Sequence, residues 1–225
     1  RRGLERAAEG LFDLVVVGGG ITGAGVAREA ALRGLTVVLL EKADFASGTS
    51  SRSSKLIHGG IRYLEQGDIG LVREAARERA VLRAIAPHLA VPTPMMIPAG
   101  TRAGRLKLAA GLWSFARLAS GQGDEQHRQL GAQATYDFEP RLKREHLAGS
   151  VVMSEYATND ARLTLETVRS AARAGAITAN YAEVSSIESE QQGLRVSAVD
   201  ATNSERLVVR CRCLVNAAGP WFDRV

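Results

Sequence analysis

At 225 residues, 45% hydrophobic and 24% charged, the chain has an ordinary globular composition and is long enough for one large domain or two small ones with a real core. No stretch approaches the roughly 20 consecutive apolar residues of a membrane-spanning helix, and the start, Arg1-Arg2-Gly3-Leu4-Glu5-Arg6, carries no apolar signal region and too much acid for a transit peptide. The net charge of +5 rests on 25 Arg and 4 Lys, but these are spread along the chain with little aromatic interleaving, which reads as a solvated surface and excludes a nucleic-acid footprint.

Residues 1–11 read as a leader. Residues 11–17 (Leu-Phe-Asp-Leu-Val-Val-Val) form a nearly continuous apolar run rich in β-branched residues, as expected of a central parallel strand covered on both faces. Gly18-Gly19-Gly20 ends the run, residues 21–33 have helical composition with small residues toward the sheet, and Gly34 stands where a left-handed residue would stop the helix. A second apolar strand at 35–40 closes at Glu41, completing a βαβ unit in about 30 residues. Residues 46–60 are rich in Ser, Thr and Gly, a loop composition. A helix is predicted over 68–85, with Leu71, Val72, Ala75, Val81, Leu82 and Ile85 at core spacing.

Pro87, Pro92, Pro94 and Pro98 then break the pattern. A smaller domain is placed at 91–149, with one strand near Met95 and one or two helices. The amphipathic segment 102–120 lies within it, and its apolar side reads first as packing on the domain and second as a membrane-surface helix. A strand follows at 151–156. A helix capped by Asn159 or Asp160 runs over 161–174 and is stopped by Gly175. Short strands are expected at 176–181, 184–189, 194–199, 207–209 and 213–216. Cys211 and Cys213, two apart in a strand, would share a face, which supports neither a disulfide nor a zinc site but rather small apolar fillers in a reducing compartment. Without an initiator Met, and stopping soon after Asn216-Ala217-Ala218-Gly219-Pro220, the chain reads as a fragment.

The chemistry concentrates in Gly18-x-Gly20-x-x-Gly23. The first glycine permits a tight turn, the second lets the backbone approach a pyrophosphate, and the third lets the helix pack close to the strand. Backbone N–H groups at the positive helix end bind phosphate oxygens. Glu41, 23 residues past Gly18, can accept from both ribose hydroxyls and would repel a 2′-phosphate, which disfavours NADP. This motif alone does not separate FAD from NAD. The segment 47–63, Ser-Gly-Thr-Ser-Ser-Arg-Ser-Ser-Lys-Leu-Ile-His-Gly-Gly-Ile-Arg-Tyr, offers hydroxyls and amides for further phosphate and ribitol contacts, and Gly59-Gly60 would let the main chain press on a flat ring. By composition alone it is a polar surface loop.

Together, the stretches at 13–25, 49–65 (with Ser54-Lys55-Leu56-Ile57-His58-Gly59-Gly60), 86–89, 159–163 and 216–221 resemble the FAD-dependent, quinone-linked glycerol-3-phosphate dehydrogenases of the D-amino-acid oxidase and glycine oxidase superfamily. Residues 95–145 match weakly, and Thr22 stands where the family often has Asn. The resemblance implies an α/β fold, a Rossmann-like FAD-binding domain of the glutathione-reductase type. Its segments would be 12–90 and 150–225, with the smaller α+β substrate or cap domain inserted between them. It assigns Gly18, Gly20, Gly23, Glu41, Thr49, Ser50, Ser54, Lys55, Leu56 and His58 to FAD. Val184 would lie at the adenine side, and Ala218 and Gly219 would close over the cofactor. Arg62 and Tyr63 would face the substrate, Arg62 as a fork of donors for anionic oxygen. The family's general base lies further C-terminal than residue 225. The implied reaction is hydride transfer from C2 of sn-glycerol 3-phosphate to flavin N5, with electrons passed to a quinone by a cytoplasmic enzyme of glycerol metabolism peripheral on the inner face of the membrane. No metal is implied, and a homodimer is compatible with the pattern. Other readings stay open: an amine or 2-hydroxy-acid oxidase of the same superfamily, an NAD-dependent dehydrogenase, and a fragment acting only as an interaction domain.

Overall fold

The computed structural model describes residues 10–59, 66–118 and 127–225. Two compact units emerge, one formed by Arg1–Ser54 with Asn159–Val225 and the other by Lys55–Thr158. The division therefore falls at Ser54/Lys55 and Thr158/Asn159, whereas the expected borders were 90/91 and 149/150. The reason is strand pairing: residues 56–57 and 91–99 both hydrogen-bond to the strand at 149–157, which draws residues 55–90 into the second unit.

The first unit is built on a six-stranded sheet in the order β7-β2-β1-β10-β9-β8. Its strands are β1 (Leu11–Val17), β2 (Val37–Leu40), β7 (Ile177–Ala179), β8 (Ala182–Glu190), β9 (Gly193–Asp200) and β10 (Arg206–Asn216). β1 runs parallel to β2 and to β10, and β2 parallel to β7. Alternation sorts the apolar run of β1 to both faces. Val15 and Val17 pack with Val38, Leu40, Val196, Ala198 and Val209 on one side. Leu14 and Val16 pack with Val37 and Leu39 on the other. Removing each such side chain from water contributes about 1.5–3 kcal/mol, which explains why so short a stretch forms the centre of the sheet. The second face is covered by α1 (Ile21–Leu32), whose buried positions are Gly23, Ala24, Ala27, Ala30 and Ala31. This small-residue side lets the helix lie close to the strands. α1 ends where predicted, with Gly34 at φ +83°. α5 (Asp160–Arg173) packs on the same face through Val168 and Ala171. Asn159 is its N-cap, accepting from the Arg162 amide at 3.0 Å, and Gly175 at φ +105° follows its end.

β10 corrects two expectations. It is one strand of 11 residues, not two, because Arg210 and Arg212 continue it through ion pairs with Glu190 and Asp13. The cysteines also part company. The β10 residues packed in the first core cluster are Leu207, Val209 and Cys211, then Leu214, and β1 contributes Phe12, then Val15 and Val17. The alternation of both strands thus slips by one across the Asp13–Arg212 pair. Cys211 is buried, with its thiol pushed up by burial, and Cys213 is exposed.

The second unit centres on β6 (Gly149–Ala157), almost wholly buried. β4 (Val91–Ala99) pairs antiparallel with its full length, while β5 (His127–Gly131) and β3 (Leu56–Ile57) pair with its two ends. Pro92, Pro94 and Pro98 do not break β4. They share one parity, so their missing N–H groups all fall on the strand's flank away from β6, the position in which a strand tolerates proline. Among the described residues, the unit also holds α2 (Ile69–Ile85), α3 (Arg102–Leu118) and α4 (Ala132–Phe138). α3 lays Ala109 and Leu112 on Val151 and Met153, the packing role expected first for this segment. In α2 the buried line is Val72, Ala76 and Arg79, whereas Val81 and Ile85, expected in the core, are exposed.

Candidate cofactor site

The site of the first unit is assembled where β1 and β2 end. Gly18 follows β1 at φ +110°, donates to the Leu40 carbonyl at 2.8 Å, and has no room for a side chain because a Cβ there would strike the Ala217 carbonyl. A Cβ on Gly23 would land on the Gly18 carbonyl oxygen, the close helix–strand approach expected of the third motif glycine. Gly19, which the motif leaves free, is equally constrained: its Cβ would sit 2.6 Å from the Phe45 ring and 2.8 Å from Cβ of Glu41.

Glu41 reaches back to this turn. One carboxylate oxygen accepts from the Gly19 amide at 2.6 Å and the other from the Ala43 amide at 2.9 Å. A carboxylate offers about four lone-pair sites, so acceptor capacity remains for a diol. The backbone of Glu41 is fixed as well, with its N–H on Ala179 and its carbonyl receiving the Ala182 amide. That second bond brings β8, and with it Val184, to the same place. The first amide of α1, from Ile21, donates to Ser50 Oγ at 2.9 Å, so a hydroxyl from 29 residues onward caps a helix whose own N-cap, Gly20, has no side chain. The first turn of α1 carries no acidic residue, which leaves its positive end available to an anion. On the opposite side, the Ala217 amide donates to the Val17 carbonyl at 2.8 Å. The Asn216 side chain ties the next turn by accepting from Ala218 and donating to the Phe222 carbonyl.

These parts enclose a cavity of about 680 Å³, within the range of about 300–1,000 Å³ usual for small-molecule sites. Of the residues singled out from sequence, Gly18, Gly20, Glu41, Thr49, Ser50, Val184, Ala218 and Gly219 all line it. Gly23 does not and acts through packing. Ser54, at the end of the first unit, is exposed and does not line it. Sequence reasoning missed Lys42 and Trp221, whose ammonium and ring lie 5.0 Å apart at the cavity wall. It also missed Gly48, whose Cβ would meet the Trp221 ring at 3.0 Å. The unbroken Gly18-Gly19-Gly20 run was the available signal for Gly19. The signal for Trp221 was its place at the end of the matching stretch 216–221.

Lys55, Leu56 and His58 belong to the second unit. Lys55 has φ +61° and its carbonyl accepts from the Thr158 amide at 2.9 Å. Leu56 pairs with Ala157 in β3, and His58 is exposed. At Gly59 the space of the missing side chain is filled from within the unit, by Arg79 Nη1 at 2.5 Å and Phe115 Cζ at 2.9 Å, which gives this glycine a packing reason of its own. Gly60, Arg62 and Tyr63 lie outside the described residues.

A parallel β-strand, a glycine turn, a helix N-terminus and a carboxylate closing the next strand around one cavity define a dinucleotide-binding α/β protein. The comparisons narrow this to one family. The chain belongs to the FAD dependent oxidoreductase family, whose pattern matches residues 13–225, and its cofactor is FAD. It is 43% identical over 218 residues to the aerobic glycerol-3-phosphate dehydrogenase of Staphylococcus aureus, covering 95% of this chain and 39% of that protein. The glycerol-3-phosphate dehydrogenase of Bacillus halodurans, solved in complex with FAD, superposes with a TM-score of 0.77 at 35% identity, over 99% of this chain and 37% of that one. Glycine oxidase from Geobacillus kaustophilus (TM-score 0.59, 24% identity, 95% and 56% covered) shares the fold. The chain thus spans about 39% of the length of the curated relative it matches.

Proposed function

We propose that the chain is the FAD-holding part of an enzyme that oxidises sn-glycerol 3-phosphate to dihydroxyacetone phosphate and passes the electrons to a quinone. The observation that carries the reading is Glu41, bonded to the Gly19 amide on the wall of the same cavity as Gly18 and Gly20, in a chain 43% identical to an aerobic glycerol-3-phosphate dehydrogenase. The backbone amides of the 18–20 turn and the start of α1 hold the pyrophosphate, and Glu41 accepts from the adenosine ribose. Thr49 and Ser50 border the phosphates, the backbone at Val184 meets the adenine side, and Ala218-Gly219 closes over the cofactor. Ser54, Lys55, Leu56 and His58 meet the flavin end, and Arg62 and Tyr63 orient the substrate. When bound, FAD supplies the acceptor for the hydride leaving C2 of the substrate.

The 225 residues contain the cofactor cradle and one wall of the substrate site, so alone they are expected to turn over no glycerol 3-phosphate with a dye acceptor. The full chain is expected to reduce the dye with glycerol 3-phosphate and not with glycine or small 2-hydroxy acids; the opposite ranking would replace this substrate with an amine or hydroxy acid. Peripheral membrane contact is assigned to α3. No described helix is long and apolar enough to cross a membrane, but Leu106 and Trp113 are 60% and 59% exposed, one stripe of α3 with Arg102 and Arg117 at its ends. Leu106→Glu with Trp113→Glu should abolish pelleting with anionic vesicles, and unchanged pelleting removes this helix from the reading. Leu112, buried against Val151, is unsuited to that test.

A further inference from the structure

The second unit holds a buried ion pair that the proposed function does not use. Arg79, on α2, and Glu155, on β6, approach to 3.5 Å with both side chains 5% exposed. That separation is longer than the roughly 2.7–2.9 Å of a strong charge-assisted bond, and a buried pair of this kind is replaced by apolar residues with little loss or a gain in stability. Fold stability is therefore a poor reason for it. Both partners converge instead on one point of the chain. Burial pushes the Glu155 carboxyl up, opposed first by Arg79 and then by His58 and the Gly59 backbone on the same side of the unit. The Arg79 guanidinium lies 5.0 Å from the Tyr156 ring centre and occupies the place where a Gly59 side chain would be. Arg83, one turn on, stacks on the same ring and donates to the Ala90 carbonyl at 2.9 Å, which fixes the aromatic platform in turn. A planar fork fits against a glycine peptide, and the carboxylate paired with it holds the fork in that orientation. An apolar pair of the same volume would support the fold without orienting that peptide.

We infer that Arg79 and Glu155 are positioning residues that fix the main chain at His58–Gly59 and, through it, set the environment of the bound flavin. The inference rests on the proposed placement of residues 54–58 at the flavin end of FAD.

The test uses the FAD-loaded full chain. Glu155→Gln, Arg79→Lys, Arg79→Met and Gly59→Ala are compared with His58→Ala and with Arg141→Ala, which breaks an exposed ion pair of the same unit. The readouts are the absorption spectrum and midpoint potential of the bound flavin, with Tm recorded beside them. The pair variants and Gly59→Ala are expected to shift both flavin readouts, Arg79→Lys less than Arg79→Met, while Arg141→Ala leaves them at the wild-type values. If the pair variants lower Tm but leave the flavin readouts unchanged while His58→Ala shifts them, the pair is only structural and the inference fails. If His58→Ala leaves them unchanged too, the placement of the segment at the flavin fails and takes the inference with it. Should Glu155→Gln not fold, Arg79→Lys and Gly59→Ala decide by the same readouts.

Discussion

Two glycine segments, residues 18–20 after β1 and residue 59 after β3, look alike in sequence and differ in what replaces the absent side chains. At the first, the Ala217 carbonyl stands where a Gly18 side chain would be and the Phe45 ring and Glu41 where a Gly19 side chain would be, while Gly18 and Gly20 also open on the cavity. At the second, Arg79 and Phe115 fill the space completely enough to leave no room for a Cβ. A glycine that borders a cavity and a glycine whose space a neighbouring side chain fills are thus indistinguishable in the chain. They are separated by asking which atoms stand where Cβ would be.

That contrast orders a set of expected outcomes. The largest follows from burial of charge. Arg79→Met leaves the Glu155 carboxylate buried and unpartnered by a cation, at a cost of about 3–5 kcal/mol in denaturant unfolding, and Arg79→Met with Glu155→Leu should recover most of it. Failure of the double variant to recover would mean that the pair stabilises the fold outright. Gly23→Ala comes next. Its methyl must displace the Gly18 carbonyl, so about 1–3 kcal/mol of stability and most FAD affinity should be lost together; loss of stability with affinity intact would separate the turn from the cofactor. Ser50→Ala removes the acceptor for the Ile21 amide and should cost about 1 kcal/mol, as for other lost helix caps, with weaker FAD binding. The smallest effect belongs to Arg141→Ala. Its hydrogen bonds hold the Glu139 carboxyl down to about 2, but the arginine is exposed and solvent reaches and screens the pair, so the unfolding midpoint should stay at the wild-type value.

The first unit was the more legible in sequence. Strand, turn, helix, strand and terminal acid followed from an apolar run, three glycines and Glu41, because each is fixed by local geometry or by burial on both faces. Eight of the residues assigned to FAD line one cavity, although they come from positions as distant as 18 and 219. The second unit was less legible. β5 is a polar edge strand, His-Arg-Gln-Leu-Gly, with no alternation to reveal it. The prolines of β4 signalled a break where their shared parity instead marks a strand edge. In α2, apolar spacing pointed to Val81 and Ile85, whereas the core position is an arginine. A charge at a core position is readable only when its partner is known, and Glu155 lies 76 residues away. The cysteines taught the same lesson on a smaller scale. A one-residue slip beside Asp13 and Arg212 changes which face each sees, and no periodicity in β10 alone announces it.

Placement of FAD against the glycine turn is tested directly by titration of the folded, cofactor-free protein with FAD, comparing the wild-type chain with Gly20→Val. The wild type should bind stoichiometrically and turn yellow, releasing free FAD on heating, while the variant, with a side chain directed toward Ser50 Oγ at the mouth of α1, should stay folded and colourless. Wild-type protein that folds without taking up FAD, or a Gly20→Val variant that binds it equally well, would contradict the placement.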